Sequence, residues 1–221
     1  TMGYVNYVIP PVFILILHQT LIMAAGIQGG GQNEPQPLNS NSYWRRAPPL
    51  RLLVIRTAVF MSVYWFLTLY YLGFSFSYYS IPRLADAAEL ILLTIPFLLS
   101  TTLFGICLGL ILPRRELATL LVLISSMPLI FVAGFIWPTA SIPAVLVFIS
   151  QVVPVIPAIQ AFLILNQMGA EFSNILSLWN QLWLQSAIYG SLAWWLMHRK
   201  MVRETAANND QQDTGAPLQQ G

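Results

Sequence analysis

Residues 117–170 read LATLLVLISSMPLIFVAGFIWPTASIPAVLVFISQVVPVIPAIQAFLILNQMGA, 54 residues without one Asp, Glu, Lys or Arg. A single bilayer crossing takes roughly 20 apolar residues, so the run is too long for one span. Pro128, Pro138, Pro143, Pro154 and Pro157 interrupt it, and the later ones cut its second half into pieces too short for another. The pattern predicts one crossing followed by a helical hairpin that either enters the membrane and turns back or lies on its outer surface.

The flanks agree with a membrane setting. The chain is 57% hydrophobic and 8% charged, where ordinary globular proteins carry about 25% charged residues. Five segments are long enough to cross as helices: 4–26, 52–74, 88–112, 117–136 and 175–197, each reaching roughly 30 Å at the helical rise. The predicted fold class is an all-α polytopic membrane helical bundle over residues 1–203, with the hairpin at about 141–168 before the last span. A Gln-, Asn- and Asp-rich tail over 204–221 carries too little apolar surface to repay ordering, and is expected to be disordered and cytoplasmic.

Orientation follows from the basic residues, which short cytoplasmic loops retain. Arg45, Arg46 and Arg51 lie between the first and second spans, Arg114 and Arg115 between the third and fourth, and Arg199, Lys200 and Arg203 after the fifth. All three clusters share one side only if 141–168 does not cross. Charge parity therefore supports the hairpin independently of the prolines. It leaves Arg83, near Asp86 and Glu89, on the outer face, puts the C-terminus in the cytoplasm and places Thr1 outside. A start at Thr-Met-Gly-Tyr is expected of a chain whose preceding span is missing.

Several chemistries lack material. The single Cys107 excludes a disulfide within one copy, and His18 and His198 sit in different segments, so no metal site is expected. The net charge of +2 is too small to argue for nucleic acid. An intramembrane enzyme would need a paired Asp, a His-Glu-x-x-His helix or a Ser and His pairing. A secondary transporter would bury acids at span centres, where none falls. A membrane assembly or scaffold subunit without its own transport path stays open as an alternative.

The order of features resembles the permease subunit of ATP-binding-cassette exporters of the type-2 membrane-domain class. It is carried by VIPPVFILILHQTLIMAAGIQGG (8–30), the Glu34 and Arg45-Arg46 segment, PRRE (113–116), SSMPLIFVAGFIWP (125–138), ILNQMGA (164–170) and a final helix with a basic end. The resemblance covers nearly all of 4–200. It implies export of hydrophobic or amphiphilic, drug-like small molecules, or of lipid or polysaccharide intermediates, across a bacterial cytoplasmic (inner) membrane. Implied partners are a cytoplasmic ATPase, a second permease copy or paralogue, a periplasmic adaptor and the lipid bilayer. It also implies that the first span and an outer domain of the full subunit are missing here. The chain has no GxxxxGK loop followed by Ser or Thr, so it is not itself expected to be an enzyme, and ATP and Mg belong to the partner.

Within that frame Gln32, Asn33, Glu34, Arg45, Arg46, Arg114, Arg115 and Glu116 are candidates for ATPase coupling, the basic ones competing with a plain orienting role. His18, Gln19, Phe135, Trp137, Asn166 and Gln167 are candidates for the cargo path or outer gate. Interhelical hydrogen bonding competes for His18 and Gln19, and interfacial anchoring for Trp137. Asp86 and Glu89 suit a helix N-terminus, with proton coupling as the sharper alternative. Ser100, Thr101 and Thr102 are expected to satisfy carbonyls freed by Pro96.

Overall fold

The computed structural model describes residues 2–31, 48–79, 84–136 and 142–214. Among them there is no strand. The helices are α1 (Met2–Gly30), α2 (Pro49–Thr68), α3 (Phe76–Tyr78), α4 (Ala87–Ile111), α5 (Arg115–Val132), α6 (Ala144–Ser150), α7 (Val155–Phe162) and α8 (Leu176–Thr214). A π-helical stretch, Leu69–Ser75, joins α2 to α3 in one rod, and another, Leu163–Gln167, prolongs α7.

Local chemistry explains the breaks. Pro48, extended at φ −60° and ψ 140°, precedes Pro49 in the first turn of α2, where a missing N–H costs nothing. Asp86 is extended before α4, and Glu89 falls in its first turn, a placement that suits the helix dipole. Glu116 does the same for α5, beyond the extended Arg114.

The direction of each helix can be read from its contacts. Ile14 and Leu17 border the same small void as Leu93 and Phe97, and a Cβ on Gly105 would meet Ala25, so α1 and α4 run parallel. Gly26 faces Ala118 and Gly30 faces Arg115, so α5 returns. α2 is antiparallel to α4, with Leu52 and Leu53 in the cluster of Leu103 and Ile106 and Leu72 beside Leu93. Trp179 reaches Leu92 and Gly190 abuts Leu103, so α8 is parallel to α4. Arg51, Arg114, Arg115, Arg199 and Lys200 therefore gather at one end of the bundle, and Asp86, Glu89 and Glu171 at the other.

This arrangement settles the hairpin. α5 delivers the chain to the acidic end, and α8 departs from that same end. Between them α6 and α7 are bent by 99°. Ala158 and Phe162 lie level with Leu93 and Phe97, and Gly169 is back beside Leu84. The hairpin penetrates the bundle to about the middle of α4 and returns; it does not lie flat on the end. Glycines with positive φ bracket it, Gly134 at 84° and Gly169 at 62°, in the left-handed region that side chains other than Gly adopt at a cost.

Among the described residues, four helical stretches qualify as crossings by length and hydropathy: Tyr7–Gly30, Pro49–Tyr78, Ala87–Ile111 and Arg115–Val132. The segment read as a fifth crossing, 175–197, is helical but is not among them. Asn180, Gln181, Gln185 and Ser186 lower its hydropathy, and it still runs alongside α4 through the same depths. α8 also continues as helix to Thr214, into the segment expected to be a disordered tail from 204.

Candidate functional site

The polar residues of α8 have a definite use. A proline lacks an N–H, so Pro96 leaves the Leu92 carbonyl without its helical donor. Trp179 Nε1 on α8 donates to that carbonyl at 3.0 Å. Ser100, Thr101 and Thr102 do not serve the kink as expected. Ser100 and Thr102 bond the Phe97 and Leu98 carbonyls of their own helix, and Thr101 Oγ1 has no hydrogen-bond partner among the described residues. Their side chains sit on the C-terminal side of Pro96 and cannot reach back to Leu92. Trp179→Phe keeps a large ring there but removes the donor; we expect a loss of about 1 kcal/mol, read as a lower unfolding temperature in detergent.

The hairpin tip repeats the logic. Pro154 and Pro157 stop α6 from continuing straight into α7, and the bend turns the Gln151 and Val152 carbonyls out of any helical ladder. Gln185 Nε2 donates to the Gln151 carbonyl at 2.6 Å, and Gln181 Nε2 donates to it and to the Gln151 side chain, both at 3.1 Å. The Tyr189 hydroxyl donates to the Val152 carbonyl, and its ring packs on Phe104 with centroids 5.0 Å apart. One helix thus supplies donors to two proline-broken neighbours. Without water, bare carbonyls at this depth would be costly. The tip is held by a latch of three side chains, and α7 behind it is fully buried from Val155 to Ile159.

The other residues singled out from the sequence fall as follows. Gln32, Asn33, Glu34, Arg45, Arg46 and Trp137 lie outside the described residues. Arg115 and Glu116 are exposed and their side chains approach to 3.8 Å. They stand beside the end of α1, since a Cβ on Gly30 would lie 3.0 Å from the Arg115 Cα. The start of the long loop and the PRRE turn are thus brought together at the basic end. Phe135 is buried in the main core with Leu165, and Asn166 is 1% exposed on the returning limb. Gln167 is half-buried. His18 and Gln19 are buried at mid-α1, and neither ring nitrogen of His18 has a hydrogen-bond partner among the described residues.

Comparison with protein families matches residues 1–195 to the model described as ABC-2 family transporter protein. The chain belongs to the ABC-2 transporter family. No curated protein and no solved structure matched it. For an ABC-2 permease the bundle is a membrane transport component, and its apolar helices are crossings.

Membership gives weight to one residue the sequence reading passed over. Arg56 is 4% exposed in the second turn of α2, inside an ABC-2 crossing segment. An ionisable group there is costly and tends to be functional. Its signal was an Arg five residues beyond Arg51 within an apolar run. The α8 latch was not legible, because nothing in the spacing of Gln181, Gln185 and Tyr189 tells which carbonyls they meet 30 or more positions away.

Proposed function

We propose that this ABC-2 permease is one half of the membrane pathway of an exporter, driven by a separate cytoplasmic ATPase that binds ATP and Mg. The basic end of the bundle faces the cytoplasm of a bacterial inner membrane, with the C-terminus on that side. A second copy or a paralogue completes the path, and a periplasmic adaptor extends it. Hydrophobic or amphiphilic small molecules are the cargo, with lipid and polysaccharide intermediates as the other class. The hairpin, with Phe135 and Asn166 behind it, is the outer lid.

One observation carries the reading: every described basic cluster lies at the end opposite to the one where the hairpin enters. A motor on the basic end and a lid on the far end is the arrangement an exporter needs. His18 and Gln19 are proposed to serve the path through helix packing. Gln32, Asn33, Glu34, Arg45 and Arg46 are proposed to dock the ATPase together with Arg114, Arg115 and Glu116, which the contact of Gly30 with Arg115 supports.

Co-purification tests this directly. The full chain in mild detergent is expected to retain an ATPase, and Arg114→Glu with Arg115→Glu is expected to lose most of it. Thermal stability should not change, because both side chains are exposed. Absence of any ATPase from the wild-type preparation would overturn the exporter reading.

A further inference from the structure

A groove of about 320 Å³ opens sideways between α2 and α4, in the half of the bundle away from the basic end. Its volume falls within the usual range for small-molecule sites, about 300 to 1,000 Å³. Trp65, Leu72 and Ile91 line it, with Thr68, Gly73 and Thr94. The two hydroxyls are turned inward: Thr68 donates to Tyr64 O at 2.8 Å and Thr94 to Leu90 O at 2.7 Å. Among the described lining side chains, the Trp65 indole N–H is the one donor not turned back onto its own helix.

The groove runs along the π-helical stretch, which supplies Leu69, Leu72 and Gly73 to its wall. Leu69–Ser75 widens the helical turn beside α4, and a Cβ on Gly73 would meet no atom within 4 Å. π-Bulges of this kind often mark functional positions. Its mouth is continuous with the exposed apolar face of α2, where Val59, Val63, Phe66 and Leu69 are all about half or more uncovered. Those side chains lie within a helical stretch long and apolar enough to cross a bilayer, so the face sits at membrane depth. Inward, Thr68, Leu72 and Thr94 also border a void of about 10 Å³ whose far wall is Ala158 and Phe162 of α7. That void is too narrow for a chain, so the groove ends against the returning limb of the hairpin.

We propose that this groove binds the hydrocarbon tail of a membrane phospholipid, inserted from the leaflet at the acidic end until its tip lies against the wall shared with α7. The groove opens beside the exposed apolar face of α2, and its described lining is mostly apolar, as a hydrocarbon tail requires. The site does not depend on the exporter reading.

The test uses the full chain in phosphatidylcholine vesicles with a trace of phospholipid bearing a photoactivatable diazirine on its acyl chain. Peptide mapping is expected to find label on Leu72 and Thr94. Gly73→Trp should reduce it several-fold and leave any label on exposed Leu123 and Ile124 of α5 unchanged. If Gly73→Trp does not purify, Ile91→Trp closes the mouth from α4 and the same comparison decides. Label at Leu72 and Thr94 no higher than background, or unaffected by a folded blocking variant, overturns the proposal. So does cross-linking between two copies through Gly73→Cys in a Cys107→Ala background, which would put a second chain there.

Discussion

Replacing Gly109 with valine is expected to prevent this bundle from holding together. A Cβ at that position would lie 2.7 Å from the Gly26 carbonyl oxygen and 2.9 Å from the Gly29 Cα. Both neighbours are backbone, so neither can rotate away, and the parallel helices α1 and α4 would have to separate. Apolar helices gain little from leaving lipid, and close approach over small residues is a main source of their association. Overpacking of this kind costs up to about 3 kcal/mol or more. Valine at 109 should sharply lower the yield of monodisperse protein and its unfolding temperature. Gly73→Ala is the matched control, since its Cβ meets nothing, and it should be neutral or slightly stabilising. Equal stability of the two variants would mean that α1 and α4 do not cross as described.

The second large effect is expected at the latch. Gln181→Leu, Gln185→Leu and Tyr189→Phe together leave the Gln151 and Val152 carbonyls without donors. Each bare carbonyl costs about 1–3 kcal/mol, and the tip relieves that cost by swinging out to water about Gly134 and Gly169. Ser150, which is 8% exposed in the intact bundle, reports the change. Ser150→Cys in a Cys107→Ala background should react slowly with a membrane-impermeant thiol reagent, and many-fold faster once the three latch residues are replaced. Reaction from the basic side alone would overturn the assigned path of the hairpin. An unchanged rate would show that Gln181, Gln185 and Tyr189 do not hold the tip. Tyr189→Phe alone keeps the ring on Phe104 and isolates the hydroxyl's share.

The architecture was largely legible in the chain itself. Hydropathy placed helices over each of the five long segments, and the arginine clusters with the prolines between Pro138 and Pro157 pointed to a hairpin that returns. Lipid demands that backbone groups be satisfied within the protein, and this makes such patterns strong. What could not be read was which donor meets which carbonyl. Pro96 announced a broken bond at Leu92, but Trp179 lies 87 positions away, and a one-dimensional reading looked to Ser100, Thr101 and Thr102 nearby. The Gly26, Gly29, Gly105 and Gly109 contacts were present as short spacings of small residues, but their pairing depends on the parallel register of α1 and α4. The proposed coupling residues from Gln32 to Arg46 carry no periodic pattern and lie outside the described residues, unlike Arg114, Arg115 and Glu116.

The dependence of α4 and the hairpin on donors from α8 has a bearing on how the protein is made. Ribosomes deliver α4 first, the hairpin next and α8 last. Until Trp179, Gln181, Gln185 and Tyr189 have been synthesised and inserted, the carbonyls at Leu92, Gln151 and Val152 have no protein partner in the bilayer. The donors that α4 and the hairpin use in the finished bundle therefore arrive only with the last helix to leave the ribosome.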